Sequence, residues 1–454
     1  MNLTFSSRLN PVDASYYFMG KLPYANVGMT SLAISGEAPS FSSILDKWTG
    51  AAGRVGRLRQ VLRPSAFDLT APRWTYAREF NIDDHVNHVD LGPQAPMAAL
   101  MQLVDGLQSS PFDYTKPLWS YTFVSGLEGG QAAGILRLHH CLSDGAALLA
   151  IFGNVSMSNE VLQGVGIDVI TDNEAVRPLT HAVREVGSGL RELAASIRSV
   201  AANPNRSREQ LSRDLRRYIL PLPDRGGKPS GRRRAILCRL PLHEWQEAAR
   251  ARGAGVNELY LAVVAATWRR YASAVGLSIG KHVRIGMPIN LREGEQQRGG
   301  NFLGVGIVEC EGGREELTDL KRLRIEASKA KLEDRATGSR IMTAALALMP
   351  GRVAGSLSFR HSSFPDTVAS KLGSPLPLDL GGAPIDQLFM LLSVIGSPFA
   401  CGLFTYNDFA HLSLNCDLGF VSDVPRLATA LDDTVREIFT EGDAGINRAS
   451  QPRC

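Results

Sequence analysis

The amino-acid sequence predicts an α/β protein with mixed sheets, arranged as two comparable halves joined by a linker. The chain has 454 residues, of which 44% are hydrophobic and 21% are charged, so it is long enough to bury two cores of domain size. Helix and strand patterns occur on both sides of a basic segment punctuated by Pro and Gly. The predicted division is an N-terminal unit at 1–175, a linker at 176–234 and a C-terminal unit at 235–454.

The N-terminal half mixes the two kinds of element. Leu100, Val104 and Leu107 recur at helical spacing and predict a helix. The apolar segments 118–124 and 132–140 predict strands. The N-terminal half is therefore predicted to be a mixed α and β region.

The C-terminal half repeats this mixture. Residues 257–271 predict a long apolar helix with Asn257 as its cap, and the segments 283–289 and 402–417 predict strands. A closing helix is predicted from four apolar residues that share one face: Leu427, Leu431, Val435 and Ile438.

One apolar run, at 388–404, comes near the character of a membrane span. Ser393, Gly396 and Pro398 interrupt it, so the sequence favours two buried strands joined by a turn.

The linker combines an amphipathic helix with a basic stretch. Between 183 and 200 apolar residues recur at three- and four-residue steps beside Arg184, Arg191 and Arg198. Residues 203–235 hold ten Lys or Arg against three acidic residues and predict an exposed segment. Two interpretations stay open: a helix that packs on its own protein, or contact with an anionic membrane or lipid-droplet surface.

Charge and cysteine usage limit the partners and the compartment. The formal net charge of +4 is small, and few aromatics are interleaved with the arginines, so no nucleic-acid partner is expected. The six cysteines form no CxxC pair, and the N-terminus lacks a basic flank followed by an apolar block. We expect a reduced, cytoplasmic chain whose membrane contact, on the inner face or at lipid bodies, is peripheral.

Several common catalytic signatures are absent from the sequence. It contains no GxxxxGK[ST] phosphate loop, no GxGxxG after a strand and no HExxH. Nucleotide-binding and zinc-protease functions therefore lose their usual support.

The strongest chemical signal is "ILRLHHCLSDGAALLAIFG" at 135–153. Two histidines end a predicted strand. Because side chains alternate along a strand, His140 is expected on the side of Leu136 and Leu138, with His139 on the other side.

A helix is predicted to start directly after the histidines. Ser143 is placed to cap it, and Asp144 then lies where the helix dipole favours negative charge. The strand and the helix would hold the histidines and Asp144 on rigid elements.

A buried histidine at this junction could act as a general base. Burial lowers the pKa of an imidazole below its usual value of about 6.5, and the neutral ring can take a proton from an alcohol. No serine or cysteine nucleophile accompanies it, so direct attack of a hydroxyl on an activated acyl donor fits best.

Two other interpretations of the histidine doublet compete with a general base. A metal site is disfavoured, because no further His or Cys cluster completes a set of ligands. Two structural histidines, hydrogen-bonded in a core, remain an equal alternative on the residues alone.

Residues 139–145 resemble the HHxxxDG motif of the chloramphenicol acetyltransferase-like superfamily, with matches at His139, His140, Asp144 and Gly145. Further segments make nearly the whole chain similar to the bacterial wax ester synthase/diacylglycerol acyltransferase family. In the order of the family they are "LNPVDASYYF", "FDLTAPRWTYAREFNIDDHV", "SSPFDYTKPLWSYTFVSGLEGG", "GVNELYLAVVAATWRRY", "MPINLR", "GGNFLG" and "TYNDFAHLSLNCD".

The resemblance implies a fold and an activity. The fold would be two chloramphenicol acetyltransferase-like lobes joined by a long crossover, with an active-site tunnel between them. The activity would be acyl transfer from acyl-CoA, as co-substrate, onto diacylglycerol or a long-chain fatty alcohol. The resemblance implies no metal and no other cofactor.

The resemblance also implies the roles of the motif residues. His140 would be the general base, with His139 in support and Gly145 beside it. Asp144 would be structural, and Arg292 is the candidate to pair with it, because a buried carboxylate needs a partner.

Two further residues are implied on the substrate side. Asn301 and Ser370 are candidates for substrate binding, although Asn301 could instead brace the backbone. The chain departs from the family here: "SKLGSP" at 370–375 replaces Ser-Asn-Val-Pro-Gly-Pro, and "VNEL" at 256–259 replaces Val-Asn-Asp-Val. Other interpretations are therefore acyl transfer to another hydroxyl acceptor, such as a polyketide diol or a glycolipid, or a weakly active lipid-binding paralogue.

Overall fold

The computed structural model describes both halves of the chain. The described residues are 6–65, 68, 70–145, 155, 183, 186–187, 190–191, 193–195, 198, 219–291, 299–318, 320–334, 345–346, 348–374 and 376–440. Arg292 and the helix predicted after Asp144 lie outside these residues.

The described elements alternate between strands and helices. The strands are β1 (Gly28–Ser35), β2 (Gln60–Arg63), β3 (Arg73–Tyr76), β4 (Val86–Ala95), β5 (Trp119–Leu127), β6 (Ala132–His139), β7 (Arg233–Pro241), β8 (Val283–Asn290), β9 (Leu303–Cys310), β10 (Thr367–Gly373), β11 (Asp379–Leu380), β12 (Ala383–Pro384), β13 (Gln387–Leu391), β14 (Phe399–Tyr406) and β15 (Phe409–Asp417). The helices are α1 (Pro11–Gly20), α2 (Phe41–Arg54), α3 (Met97–Ser109), α4 (Leu242–Ala251), α5 (Val256–Ala274), α6 (Arg314–Thr318), α7 (Lys321–Asp334), α8 (Gly351–Ser362) and α9 (Val424–Thr440).

The first large sheet has five strands in the order β13-β1-β6-β5-β4. β1 is antiparallel to both of its neighbours, whereas β4 runs parallel to β5. The edge strand β13 comes from the C-terminal part of the sequence. Ser413 and Asn415 of β15 donate hydrogen bonds to the carbonyls of Met390 and Leu392, at 2.6 and 2.8 Å, and so tie this edge to the second sheet. The predicted domain boundaries stay a prediction. One strand that follows residue 235, β13, belongs to the sheet whose other strands come from the N-terminal half.

The second large sheet has six strands in the order β7-β15-β14-β10-β8-β9, and α5 packs on it. β10 is parallel to both β8 and β14. All residues from Leu259 to Trp268 of α5 are buried, because the helix lies between this sheet and α9. This burial explains why the middle of α5 is almost wholly apolar.

Most predicted elements are confirmed, with one correction at a helix start. The predicted strands correspond to β5, β6, β8, β14 and β15, and the run 388–404 forms parts of β13 and β14 as expected. α5 begins at Val256, and the N–H of Gly255 donates to Glu258 Oε2 at 3.0 Å. The prediction of Asn257 as the cap is wrong, because that residue lies inside the first turn. No helix in the described part of the chain is long and apolar enough to cross a membrane.

The basic segment before β7 is partly structural, which corrects the prediction of an exposed linker through residue 235. Arg233 is 3% exposed; it pairs with Asp417 at 2.5 Å and donates to the carbonyl of Val394 at 2.6 Å. Arg225 is also buried, and it donates to the carbonyls of Gly396 and Pro365 at 2.9 and 2.7 Å. These two cations join the ends of strands and are not available to an external partner.

The described cysteines are buried. Cys141, Cys310, Cys401 and Cys416 are free thiols. Cys238 in β7 is also buried. The expectation of a reduced chain stays a prediction.

Candidate active site

The histidine doublet lies where β6 ends beside β1. His139 is the last residue of the strand and pairs with Gly28, while His140 belongs to the following turn. Strand alternation therefore does not apply to His140, because the strand ends one residue before it. The rule does hold for His139 and Arg137, which contact the same ring, that of Phe112.

His139 is fully buried and both of its ring nitrogens are engaged. Nδ1 accepts the N–H of Cys141 at 3.2 Å, so Nε2 carries the proton of the neutral ring and donates to the hydroxyl of Tyr114 at 2.9 Å. Burial lowers the pKa of His139 to about 3, and the neighbouring His140 and Arg137 act in the same direction. These contacts fit the supporting role predicted for His139 and leave it no free nitrogen.

His140 is partly exposed and its ring is held in a stack. The imidazole lies parallel to the Tyr16 ring, with centroids 3.8 Å apart and planes inclined by 5°. Burial lowers the pKa of His140 to about 4, against a hydrogen bond with its own backbone, the charge of Asp144 and the side chain of Asn301. The ring is therefore neutral at physiological pH.

The His140 ring lines an apolar cavity of about 120 Å³. Gly145 and Ser370, both predicted from the sequence, lie in the same wall. The other lining residues are mostly apolar: Tyr16, Met29, Pro288, Leu303, Val305, Ile307, His361, Ser362, Pro365, Val368, Leu372, Met390, Leu392, Ser393 and Ile395. The structure thus brings His140, Gly145 and Ser370 together at one space.

Two larger clefts flank this region. A cleft of about 930 Å³ shares Pro288 and Leu372 with the cavity and continues past Asn257 and Lys371. Another cleft of about 930 Å³ reaches His139 from the other side, and its basic residues are Lys21, Arg232 and Arg352. The cavity at His140 and the first cleft therefore have two wall residues in common.

Asp144 faces the backbone of the loop before β9. It is 3% exposed, and its Oδ2 accepts the N–H of Phe302 at 3.1 Å. Its predicted partner Arg292 lies outside the described residues. Gly145 packs so closely that a Cβ atom there would lie 2.4 Å from Leu372 Cδ1. Glycine therefore lets the turn approach β10.

Asn301 is 1% exposed and does not line the cavity. Its Nδ2 donates to Asp13 Oδ1 at 2.7 Å and to the carbonyl of His140 at 2.6 Å. This geometry favours the bracing role for Asn301 over direct contact with substrate.

Sequence analysis missed Asp13, Tyr16 and His361. Asp13 follows the helix cap Asn10 by three residues, a spacing that predicts only a helix start. Its contact with Asn301 spans 288 residues, and no local pattern reports such a distance. His361 lies in the last turn of α8 and lines the cavity. In the described part of the chain, no three His, Cys, Asp or Glu side chains form a group that could hold a metal ion.

Comparison with known proteins gives the family. A family model described as the wax ester synthase/diacylglycerol acyltransferase catalytic domain matches residues 9–260. A putative diacylglycerol O-acyltransferase of Mycobacterium tuberculosis is 28% identical over 447 residues, which cover 90% of this chain and 92% of the relative. A second one from the same organism is 26% identical over 347 residues, which cover 72% and 70%.

Solved structures share the fold. The wax ester synthase/diacylglycerol acyltransferase from Marinobacter aquaeolei VT8 matches with a TM-score of 0.66 at 17% identity, over 96% of this chain and 99% of that one. A starter condensation domain of rhizomide synthetase, in complex with C8-CoA and Leu-SNAC, matches with a TM-score of 0.63 at 14% identity, over 98% and 95%. The fold is therefore the two-lobed, mixed α/β architecture of these proteins, as predicted. Since the family model covers more than half of the sequence, the chain belongs to the wax ester synthase/diacylglycerol acyltransferase family and is an acyltransferase of that type.

Proposed function

We propose that this chain transfers an acyl group from acyl-CoA to the hydroxyl of a diacylglycerol, and secondarily of a long-chain alcohol, with His140 as the general base. The observation that carries this proposal is the neutral His140 ring in the wall of an apolar cavity. Nδ1 of His140 is buried, so we assign the base to Nε2. An apolar space suits lipid substrates, because their chains leave water on binding.

The proposed reaction needs no covalent enzyme intermediate. The acceptor oxygen attacks the thioester carbon while Nε2 takes the hydroxyl proton. The tetrahedral intermediate then breaks its C–S bond, and the proton passes from the imidazolium to the departing thiolate. The products are an ester and free CoA, and His140 is neutral again.

Ser370 is the proposed substrate-binding group of the cavity. Its backbone carbonyl is tied to the hydroxyl of Tyr260 at 3.3 Å, and the residue lies in the same wall as His140. A hydroxyl in that wall would donate to the oxyanion of the tetrahedral intermediate. We propose acyl-CoA as co-substrate, and the mechanism uses no cofactor.

His140→Ala tests the base directly. Because general-base catalysis is typically worth about 10²–10⁴-fold, turnover of labelled acyl-CoA with dioleoylglycerol should fall by at least about 100-fold. His88→Ala is the matched control, since this exposed histidine lies in β4 and contacts only Ser125 and two phenylalanine rings among the contacts described. Wild-type turnover in a folded His140→Ala protein would refute the proposal.

A panel of acceptors separates the alternatives at the same site. Dioleoylglycerol, hexadecanol, a polyketide-type diol and a glycolipid are each offered with one acyl-CoA. We expect the diacylglycerol to be the best acceptor. If no acceptor is esterified, while the wild type and His140→Ala bind lipid equally, the chain is a lipid-binding paralogue.

We further propose peripheral contact between the linker helix and an anionic membrane or lipid-droplet surface. Val183, Val186 and Leu190 are 67%, 41% and 54% exposed, and Arg191 and Arg198 lie on the same stretch. Exposed apolar side chains beside arginines match the chemistry of an anionic lipid surface.

A further inference from the structure

One face of α1 is directed at the turn that holds His140. Asn10, Asp13 and Tyr16 are three residues apart, so they lie on the same side of the helix start. Asn10 caps the helix by accepting the N–H of Asp13 at 2.9 Å. Tyr16, one turn further, stacks on the His140 ring. A single helix therefore contacts the catalytic ring and the residues behind it.

Asp13 is buried among hydrogen-bond donors. Its Oδ1 accepts both the backbone N–H of Asn301, at 2.8 Å, and the side-chain amide of Asn301, at 2.7 Å. Its Oδ2 accepts the amide of Asn10 at 2.9 Å. Gly300 approaches so closely that a Cβ atom there would lie 2.7 Å from Asp13 Oδ2, and its φ of +94° also favours glycine. The loop before β9 is shaped around this carboxylate.

The backbone of His140 is held from both sides. Its N–H donates to the carbonyl of Val27 at 3.2 Å, next to β1. Its carbonyl accepts the amide of Asn301 at 2.6 Å. Because Asn301 Nδ2 gives its two hydrogens to Asp13 and His140, the orientation of this amide depends on the Asp13 carboxylate.

We propose that Asp13 is a positioning residue for the base: through Asn301 it fixes the backbone of His140, so that the imidazole is presented to the cavity. This inference rests on the proposed role of His140. It assigns to α1 a part in catalysis that requires no contact with substrate. Misplacement of a catalytic group by about 1 Å can cost about 100-fold in rate, so such a brace acts on kcat.

The pKa of Asp13 reflects both its burial and its hydrogen-bond partners. Burial raises its pKa to about 7, while the Asn301 hydrogen bonds and the charge of Arg57 act against burial. A buried carboxyl group costs stability unless it is bonded in this way.

The test is a double-mutant cycle on Asp13 and Asn301, with kcat and KM measured separately. Asp13→Ala should lower kcat by about 10- to 100-fold while KM for acyl-CoA changes by less than about threefold. Asn301→Ala should act alike, and the double variant should be no slower than the slower single variant, because both break one chain of contacts. Asp13→Asn keeps an oxygen acceptor and should recover most of kcat.

The control is Ser15→Ala on the same helix, whose hydroxyl bonds only to the carbonyl of Val12 among the contacts described. If Asp13→Ala does not fold, Asp13→Ser replaces it in the cycle, since its shorter side chain cannot accept both Asn301 bonds. Multiplicative losses in the double variant, or wild-type kcat in a folded Asp13→Ala protein, would overturn the inference. If His140→Ala is as active as the wild type, the proposed function fails first; if only that variant is inactive, the inference alone fails.

Discussion

Adjacent histidines of one sequence motif have different surroundings. His139 gives one nitrogen to Tyr114 and the other to a backbone N–H, whereas His140 stacks on Tyr16 and faces a cavity. Alternation along a strand could not predict this difference, because β6 ends between the two residues. The resemblance to the HHxxxDG motif, and not strand alternation, identifies His140 as the candidate base.

The low pKa of His140 predicts an unusual pH dependence. A base with a pKa of about 4 is neutral above that pH, so kcat/KM should hold its value as pH falls through 6.5 and decline only nearer 4. Asp13 can take a proton on Oδ2 while Oδ1 keeps both Asn301 bonds. Its titration near pH 7 should therefore not cause the decline of kcat/KM on the acidic side of the profile. The measurement is kcat/KM from pH 4.5 to 8, with thermal unfolding followed at each pH. An apparent pKa at or above 6.5 would contradict the expectation.

Single elements were predictable where their own sequence carries the signal. The middle of α5, from Leu259 to Trp268, is almost wholly apolar and is buried on all sides. The four apolar residues of the closing helix α9 are buried as their spacing indicates. α1 shows the opposite case. Its cap and first turn are ordinary, yet its partners are the His140 turn and the loop before β9, at separations that only the folded chain reveals.

The close packing of the His140 turn on β10 predicts an effect of Gly145→Ala. The added methyl group must displace Leu372 Cδ1, and Leu372 lines the cavity. We expect the displaced side chain to narrow the space, so that KM rises more for long-chain than for short-chain acyl-CoA. Leu372→Ala added to Gly145→Ala should restore the long-chain substrate, because it removes the displaced atoms. Equal KM changes at all chain lengths would argue against this explanation. Kinetics across an acyl-CoA series measures the effect.

At the scale of the whole molecule, two basic residues of the linker region belong to the interior of the protein. Arg225 and Arg233 hold strand ends together inside the protein, so net charge and sequence position overstate what the linker offers to a partner. The burial of Arg225 and Arg233 between strand ends cannot be deduced from a run of arginines, because the same composition is typical of a solvated segment.

The proposed membrane contact can be tested without changing the buried Arg225 and Arg233. Arg191→Gln together with Arg198→Gln should weaken sedimentation with anionic vesicles, and the difference should fade as salt rises. Neutral vesicles should show no such difference. Arg322→Gln with Arg324→Gln, on the exposed side of α7, is the charge-matched control. Unchanged sedimentation would contradict the proposed membrane contact and favour a linker helix that packs on its own protein.

The placement of β13 has a consequence for synthesis on the ribosome. Residues 387–391 complete the edge of a sheet whose other strands all lie before residue 128 or between 132 and 139. The nascent N-terminal half therefore exposes the unpaired side of β1 until more than two hundred further residues have been translated. A truncated chain that stops before residue 387 should keep that edge open and self-associate.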